Sequence, residues 1–185
     1  PPLPNQPSFT SPQTPIHLIY HTGSIFHAPR STLLIHACNT HGIWGTGIAL
    51  AFKKRYPHAF RAHRTFCLSH PGHALRGTAL LIPPMDGDKQ HWIGCLFTSM
   101  GYGRQRDGVQ MVLRSTRSAV RMLVERVGGV NAGMGDGDGD GVREWRMCRV
   151  NSGRFGVPWE DTVRVLEGVD CGEGWDGCVQ VWDLE

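Results

Sequence analysis

The chain has 185 residues, of which 40% are hydrophobic and 19% charged, and its formal net charge is +3. This length suits one domain on a prior of ~150 residues per domain, and such a domain folds without disulfides or a metal. The small positive charge favours an anionic ligand but argues against a nucleic-acid interface, since no block of Lys and Arg is interleaved with aromatics. No apolar run reaches the ~18 residues that span a membrane, so we expect a cytoplasmic or nuclear protein without membrane contact.

The first 15 residues differ in composition from the rest of the chain. They read PPLPNQPSFTSPQTP, with many Pro, Ser and Thr and few large apolar side chains. Such a segment buries too little apolar surface to offset the entropy of ordering, so we expect residues 1–15 to be flexible. Residues 16–185 are expected to form a single domain.

Within that domain, short apolar runs alternate with longer amphipathic ones. The apolar runs predict strands at residues 16–23, 32–39, 77–83, 91–99, 147–151 and 177–184. The run TLLIHACN at 32–39 is almost entirely apolar, which is typical of a parallel strand covered on both faces.

The segments between these runs predict helices. The predicted helices cover residues 45–56, 58–67, 107–127 and 157–168. Strands that alternate with helices indicate an α/β fold around a mostly parallel sheet, in which ligands bind at the carboxyl ends of the strands.

Residues 128–143 interrupt this alternation with a segment rich in Gly and Asp. Asp136, Asp138 and Asp140 resemble the start of a calcium-binding loop. The twelfth position of that loop, which needs a bidentate Glu, is occupied by Met147. We therefore expect residues 128–143 to be a flexible insertion rather than a metal site.

The second predicted strand runs directly into a polar and glycine-rich stretch, HACNTHGIWGTGIA. Glycines between a strand end and a helix start let the backbone approach a phosphate, whose charge suits the helix N-terminus. Neither regular nucleotide motif is present, because Leu50 replaces the third Gly of a dinucleotide fingerprint and no Lys-Ser/Thr pair follows Gly47. The alternative is a tight strand-to-helix turn in which the glycines serve packing only.

A second stretch of the same kind, NSGRFGVPWE, precedes the last predicted helix. Gly153 and Gly156 flank Arg154 and Phe155 there. Two such loops at one edge of a sheet predict a clamp for a pyrophosphate, although a simple connection with Phe155 buried in the core is the alternative.

The spacing of residues gives little support for a cysteine phosphatase, a serine hydrolase or a common zinc site. A cysteine phosphatase needs Arg six residues after its nucleophile, and after Cys38, Cys67, Cys95 and Cys171 that position is not Arg. No GxSxG motif surrounds a serine. Metal-ligand residue types do cluster in one segment, but their spacing matches no common zinc site, so we expect neither a metal nor a cofactor. These residues are His63, Cys67, His70 and His73.

His36 interrupts an apolar strand shortly before its carboxyl end. A histidine at such a position is most often a hydrogen-bonded core residue. Near a phosphate-binding loop, however, an imidazole that titrates near pH 7 could act as an acid, a base or a nucleophile.

Taken together, these motifs resemble the macrodomain family, and in particular its fungal, yeast-type ADP-ribose 1''-phosphate phosphatases. The resemblance runs from about residue 16 to the C-terminus and is carried mainly by HACNTHGIWGTGIA and NSGRFGVPWE. It implies a three-layer α/β/α sandwich with a mixed, mostly parallel central sheet. It also implies ADP-ribose in a cleft across the strand ends and a substrate that arises as a by-product of tRNA splicing.

The resemblance implies a set of ligand-binding residues in three places. Gly23, Ser24 and Ile25 would lie beside adenine, and Asn39 would contact the distal ribose. The two diphosphate loops and the end of the fourth strand would contribute the rest, namely Gly45, Thr46, Gly47, Ile48, Ser99, Tyr102, Ser152, Gly153, Arg154, Phe155 and Gly156.

The phosphatase branch further implies His36 and Asp107 as the catalytic pair. His36 would attack the phosphorus or activate water, and Asp107 would protonate the leaving oxygen. A non-catalytic ADP-ribose reader would need the glycines and Asn39 but not His36. Hydrolysis of ADP-ribosylated proteins, in a related branch, uses a Lys and an Asp, and Ser99 and Phe155 occupy those positions here. We expect a monomer whose partner is this small molecule alone.

Overall fold

The computed structural model describes residues 14–134, 141–172 and 175–183. Within these ranges six strands form one sheet in the order β1-β6-β5-β2-β4-β3. Every neighbouring pair is parallel except β3 and β4, so the sheet is mixed and mostly parallel, as predicted. The strands are β1 (His17–Thr22), β2 (Thr32–Asn39), β3 (Ala79–Ile82), β4 (Trp92–Ser99), β5 (Glu144–Met147) and β6 (Cys178–Asp183).

Helices cover both faces of this sheet, which gives three layers. They are α1 (Gly47–Arg55), α2 (Pro57–Leu68), α3 (Gly72–Leu75), α4 (Val109–Gly133) and α5 (Trp159–Glu167). The core between the sheet and α4 and α5 contains Leu33, Ile35 and Leu123, whereas the core on the opposite face contains Leu34 and Phe52. Successive residues of β2 thus enter opposite cores, because strand side chains alternate between the two faces of a sheet.

None of the helices in the described ranges combines the length and the apolar character needed to cross a bilayer. The predicted flexible tail over residues 1–15 lies outside the described residues except for its last two positions. Pro15 forms a bridge with Asp170, and the Thr14 carbonyl accepts a hydrogen bond from the Cys171 N–H at 2.9 Å.

Two elements, β5 and α4, have boundaries more than two residues away from those predicted. The fifth strand, predicted over 147–151, is Glu144–Met147, because the chain turns at once after Met147. The Val150 N–H bonds the Cys148 carbonyl at 2.7 Å, and Asn151 has a positive φ of 68°.

Helix α4 extends to Gly133, six residues into the segment that its composition marked as an insertion. The side chain of Asn131 bonds both the N–H of Val142, at 2.9 Å, and its carbonyl oxygen, at 3.0 Å. These two hydrogen bonds connect the last turn of α4 to the residues just before β5. Residues 135–140 of the segment lie outside the described residues.

Candidate functional site

A cleft with a volume of about 330 Å³ opens where β2 and β5 end. These strands are parallel neighbours in the sheet, so the loops that follow them emerge side by side. The cleft lies between these two loops, as the glycine patterns predicted. The predicted residues that line it are Asn39, Gly45, Thr46, Gly47, Ile48, Tyr102, Gly153, Arg154 and Phe155.

The first loop ends at the N-terminus of α1. Thr46 takes the N-cap position in an extended conformation but makes no side-chain cap bond, and no acidic residue occupies the first turn. The first amides of a helix have no partner within the helix, so this end presents N–H donors and the positive end of the dipole to the cleft. Gly47 has a positive φ of 57°, a conformation that other residues adopt at a cost.

Asn39 ends β2 and supports the turn that precedes this loop. Its Nδ2 donates to the Ile43 carbonyl at 3.1 Å, and its Oδ1 accepts the N–H of His41 at 2.9 Å. The side chain is only 7% exposed, yet it lines the cleft. Asn39 therefore shapes the floor of the site and fixes the path of the first loop.

The second loop, residues 151–156, is anchored from below by Asn151. Its Nδ2 donates to Thr116 Oγ1 at 2.9 Å, while its Oδ1 is buried and has no hydrogen-bond partner within the described residues. Phe155 is buried against Val112 and Val157, so it packs in the core and borders the cleft at the same time. The loop also reaches the β4–α4 connection, because the Gly103 N–H bonds the Arg154 carbonyl at 3.1 Å.

The site residues predicted from the sequence did not include Cys148, Arg149 and Asn151, which also line the cleft. They fall in the segment predicted as the fifth strand, and the early end of β5 turns them into the cleft. Arg149 pairs with Asp183 at 2.6 Å, so its guanidinium is held at the β6 side.

Cys148 also has Arg at the sixth following position, Arg154, which is the spacing of cysteine phosphatases. Burial raises the pKa of the Cys148 thiol to about 12, so the nucleophilic thiolate is disfavoured. Loop amides that would cradle a phosphate in such an enzyme bond the loop's own carbonyls, as Ser152 does to Arg149 and Val157 does to Asn151. The spacing therefore lacks the geometry of that mechanism.

Several predicted ligand-binding residues do not line the cleft in this structure. Gly23, Ser24 and Ile25 form the turn after β1, where Ile25 is buried in the core and the Gly23 N–H bonds the Asp183 carbonyl at 2.8 Å. The remaining residues that lie outside it are Ser99, which is fully buried, Ser152 and Gly156.

His36 lies one layer beneath the cleft rather than in it. Its side chain is 0% exposed, and its ring stacks on Phe52 with centroids 4.2 Å apart and meets the edge of Trp44 at 4.7 Å. Residues 34, 36 and 38 share the face of β2 that α1 covers, so the ring is enclosed by aromatic side chains.

Asp107 closes the loop from β4 to α4 and does not line the cleft either. Its Oδ2 accepts the Met100 N–H at 2.9 Å and lies 3.5 Å from Arg76 Nη1. Its own N–H donates to Ser99 Oγ at 2.9 Å. These bonds fix the loop that carries Tyr102 to the cleft.

The fold is shared with a known protein family. The sequence model of the Macro domain family matches residues 35–166. This match covers more than half of the chain, which therefore belongs to the macrodomain family. The resemblance read from the motifs and the predicted three-layer fold are both confirmed.

Relatives from fungi are similar along most of the chain. The ADP-ribose 1''-phosphate phosphatase of Chaetomium globosum is 47% identical over 166 residues, which cover 86% of this chain and 88% of that protein. The protein of the same name from Aspergillus fumigatus is 40% identical over 173 residues, with 78% of this chain and 86% of the relative covered.

Solved structures share the fold at much lower identity. The macrodomain of Thermus aquaticus DarG superposes with a TM-score of 0.64 at 22% identity, covering 90% of this chain and 98% of that one. Thermosipho africanus DarTG in complex with ADP-ribose gives a TM-score of 0.61 at 19% identity, covering 88% of this chain and 40% of that one.

Proposed function

We propose that this chain is a phosphatase that removes the terminal phosphate of ADP-ribose 1''-phosphate and releases ADP-ribose. The observation that carries the proposal is the 47% identity, over 86% of the chain, to a protein named for that activity. The cleft is compatible with such a substrate, since it presents the α1 N-terminus from one side and the second loop from the other.

Binding in this cleft would rest mainly on backbone groups. The amides at the start of α1 suit a pyrophosphate. Arg154 is exposed at the cleft and has a cationic head available for a phosphate.

The reaction requires water to attack the phosphorus while the bond from phosphorus to the ribose oxygen breaks. Arg154 and the amides at the start of α1 would stabilise the charge on the phosphoryl oxygens, a contribution that is large in phosphoryl transfer. Among the described residues that line the cleft there is no carboxylate or imidazole. The chemistry that we assign to the chain is therefore positioning and charge stabilisation.

The placement of His36 and Asp107 favours a second candidate, a reader that binds ADP-ribose without turnover. Both side chains are engaged within the protein, one in aromatic packing and the other in loop closure. A protein that only binds ADP-ribose needs the cleft, which the two loops form, and needs no catalytic side chain.

The deciding experiment measures phosphate release from ADP-ribose 1''-phosphate and ADP-ribose affinity on the same protein. A phosphatase releases phosphate over many turnovers, whereas a reader binds ADP-ribose and releases none. Arg154→Ala should lower kcat/KM by roughly tenfold or more, since a charged hydrogen bond contributes ~1.5–3 kcal/mol. Arg121→Ala, which removes an exposed Arg of α4, is the matched control and should leave kcat/KM unchanged.

A further inference from the structure

Three metal-ligand side chains meet in the core beneath the cleft. His36 and Cys38 lie on β2, and Cys95 lies on β4 directly opposite His36 in the strand register. The Cys38 Sγ is 3.7 Å from both His36 ring nitrogens, and the Cys95 Sγ is 4.0 Å from Nε2. The donor atoms of all three lie within 4.8 Å of one another, and no other group of this kind forms among the residues that the structure describes.

The surroundings of this cluster hold it in place. His36 and Cys95 are 0% exposed and Cys38 is 3% exposed. Phe52 stacks on one face of the imidazole, and Trp44 meets it edge-on, so the ring is confined by its neighbours. Strands β2 and β4 are both central in the sheet, so their backbones are fixed by hydrogen bonds on both sides.

A disulfide does not account for the two cysteines. Cys38 pairs with Phe97 in the register, so Cys95 is its diagonal neighbour on β4. Neighbouring strands lie about 4.8 Å apart and two residues advance a strand by about 6.6 Å, so such diagonal Cα atoms are about 8 Å apart. A disulfide is strained once the Cα atoms are more than about 7 Å apart, so the backbone would have to move.

The distances suit a cation instead. Zinc binds sulfur at ~2.3 Å and imidazole nitrogen at ~2.0–2.1 Å, so tetrahedral geometry separates a sulfur and a nitrogen ligand by about 3.6 Å. The observed sulfur–nitrogen distances of 3.7 Å and 4.0 Å are longer than this by a few tenths of an ångström, which small side-chain movements on cation binding would close. Two thiolates and one neutral imidazole would also balance the charge of a divalent cation, which matters in an apolar core.

We propose that His36, Cys38 and Cys95 form a binding site for a thiolate-preferring cation, Zn²⁺ in the test below. The site lies beneath the cleft floor, and Cys38 belongs to both, since its side chain also lines the cleft. Binding would join β2 to β4 at the point where the first loop begins. The expected role is to stabilise the cleft, since all three ligands come from the rigid centre of the sheet.

The test uses the full chain, reduced and stripped with a chelator, then equilibrated with Zn²⁺ against a competing chelator. Mass spectrometry of the desalted protein should find about one zinc per chain. Substitution with Co²⁺ should add the near-ultraviolet absorption of thiolate ligation. Cys95→Ala removes one ligand without adding a polar group, and its apparent zinc affinity should fall by at least ~100-fold, beyond the 10–100-fold effect of outer-shell changes.

Two matched variants keep the outcome interpretable. Cys171→Ala removes a buried cysteine outside the cluster and should retain full zinc binding. Cys67→Ala probes the pair formed by Cys67 and His63, whose atoms are 3.6 Å apart, and should also retain it. The proposal is overturned if folded parent protein binds less than ~0.1 zinc per chain. It is equally overturned if Cys95→Ala binds as the parent does, or if Cys67→Ala alone loses the metal. Should Cys95→Ala fail to fold, a Co²⁺ spectrum of the parent without thiolate absorption would also overturn it.

Discussion

The cleft rim and the aromatic layer beneath it use polar residues in opposite ways. The rim consists of residues 45–48, Gly153 and Arg154, which line the cleft and are open to a ligand. The aromatic layer consists of His36, Trp44, Phe52, His63 and Phe97, whose rings pack on one another out of contact with solvent. The two regions are consecutive along β2, since Asn39 ends at the rim and His36 lies three residues earlier. Whether a β2 side chain reaches the cleft therefore depends more on the face of the sheet from which it projects than on its distance from the strand end.

The largest expected effect tests whether His36 belongs to the aromatic layer. His36→Ala should lower the free energy of unfolding by roughly 2–4 kcal/mol, because it leaves a cavity between Phe52 and Trp44. Urea unfolding with a chelator present measures packing without any contribution from a bound cation. His41→Ala, which removes an exposed histidine five residues later, should change stability by no more than ~0.5 kcal/mol.

The same variant also addresses catalysis. If phosphate release per folded molecule disappears in His36→Ala while stability matches the parent, the imidazole acts on the substrate and the packing role is wrong. A loss of activity that follows the unfolded fraction supports the packing role instead.

The next effect concerns the rim. Gly47→Val should weaken ADP-ribose binding by ~100-fold, about 2.7 kcal/mol, because a branched side chain enters the cleft and opposes the positive φ of 57°. Gly87→Val is the matched control, since Gly87 also has a positive φ, of 63°, and equally open space at its Cβ position, but lies away from the cleft. Calorimetry on both folded variants makes the comparison. Equal affinities in the two would place the ligand elsewhere.

A smaller effect on stability and activity tests whether Asp107 fixes the loop or donates a proton to the substrate. Asp107→Ala removes the acceptor of the Met100 N–H and should lower the free energy of unfolding by ~1–2 kcal/mol. Asp107→Asn keeps an acceptor oxygen but cannot supply a proton, so it should restore both stability and phosphate release. Urea unfolding and a phosphate assay on the two variants check this. An Asn variant that is stable but inactive would show that Asp107 acts as an acid.

Much of the architecture could be predicted from the sequence because it rests on patterns that operate locally. Apolar runs placed the strands, and helical spacing placed α4. Glycines between a strand and a helix placed both cleft loops. The fifth strand was misplaced because Val150 and Asn151 fit a strand pattern, whereas their backbone forms a turn.

The positions of individual side chains at the site were harder to predict. The pleat sets the face of His36, but a strand without alternation in polarity does not reveal which face meets the cleft. Asp107 was placed by motif alone, and its bonds to Met100 and Ser99 depend on how an irregular loop closes. Cys95 appeared as one cysteine in an apolar run, and only the register of β4 against β2 brings it to His36.

The smallest expected effect is a pH dependence from a third buried histidine, His91, at the start of β4. Its Nδ1 lies 2.8 Å from the Tyr56 hydroxyl and its Nε2 lies 3.0 Å from the Ala28 carbonyl oxygen. Both bonds suit a neutral ring that donates from Nε2 and accepts at Nδ1. Burial lowers the pKa of His91 below its usual value, and the nearby cations Arg146 and Lys89 act in the same direction.

The sign of the effect follows from which state binds the proton. Below the ordinary histidine pKa of about 6.5, His91 in the unfolded chain is protonated while the folded protein still holds it neutral. The stability contributed by this difference is therefore complete above about pH 6.5 and declines as the pH falls. Urea unfolding at about pH 7.5 and pH 5.5 should show a smaller decline in His91→Gln than in the parent, whereas exposed His41→Gln should decline as the parent does. Identical declines in all three proteins would mean that the folded protein protonates His91 as readily as the unfolded chain does, so that burial does not lower the pKa of His91.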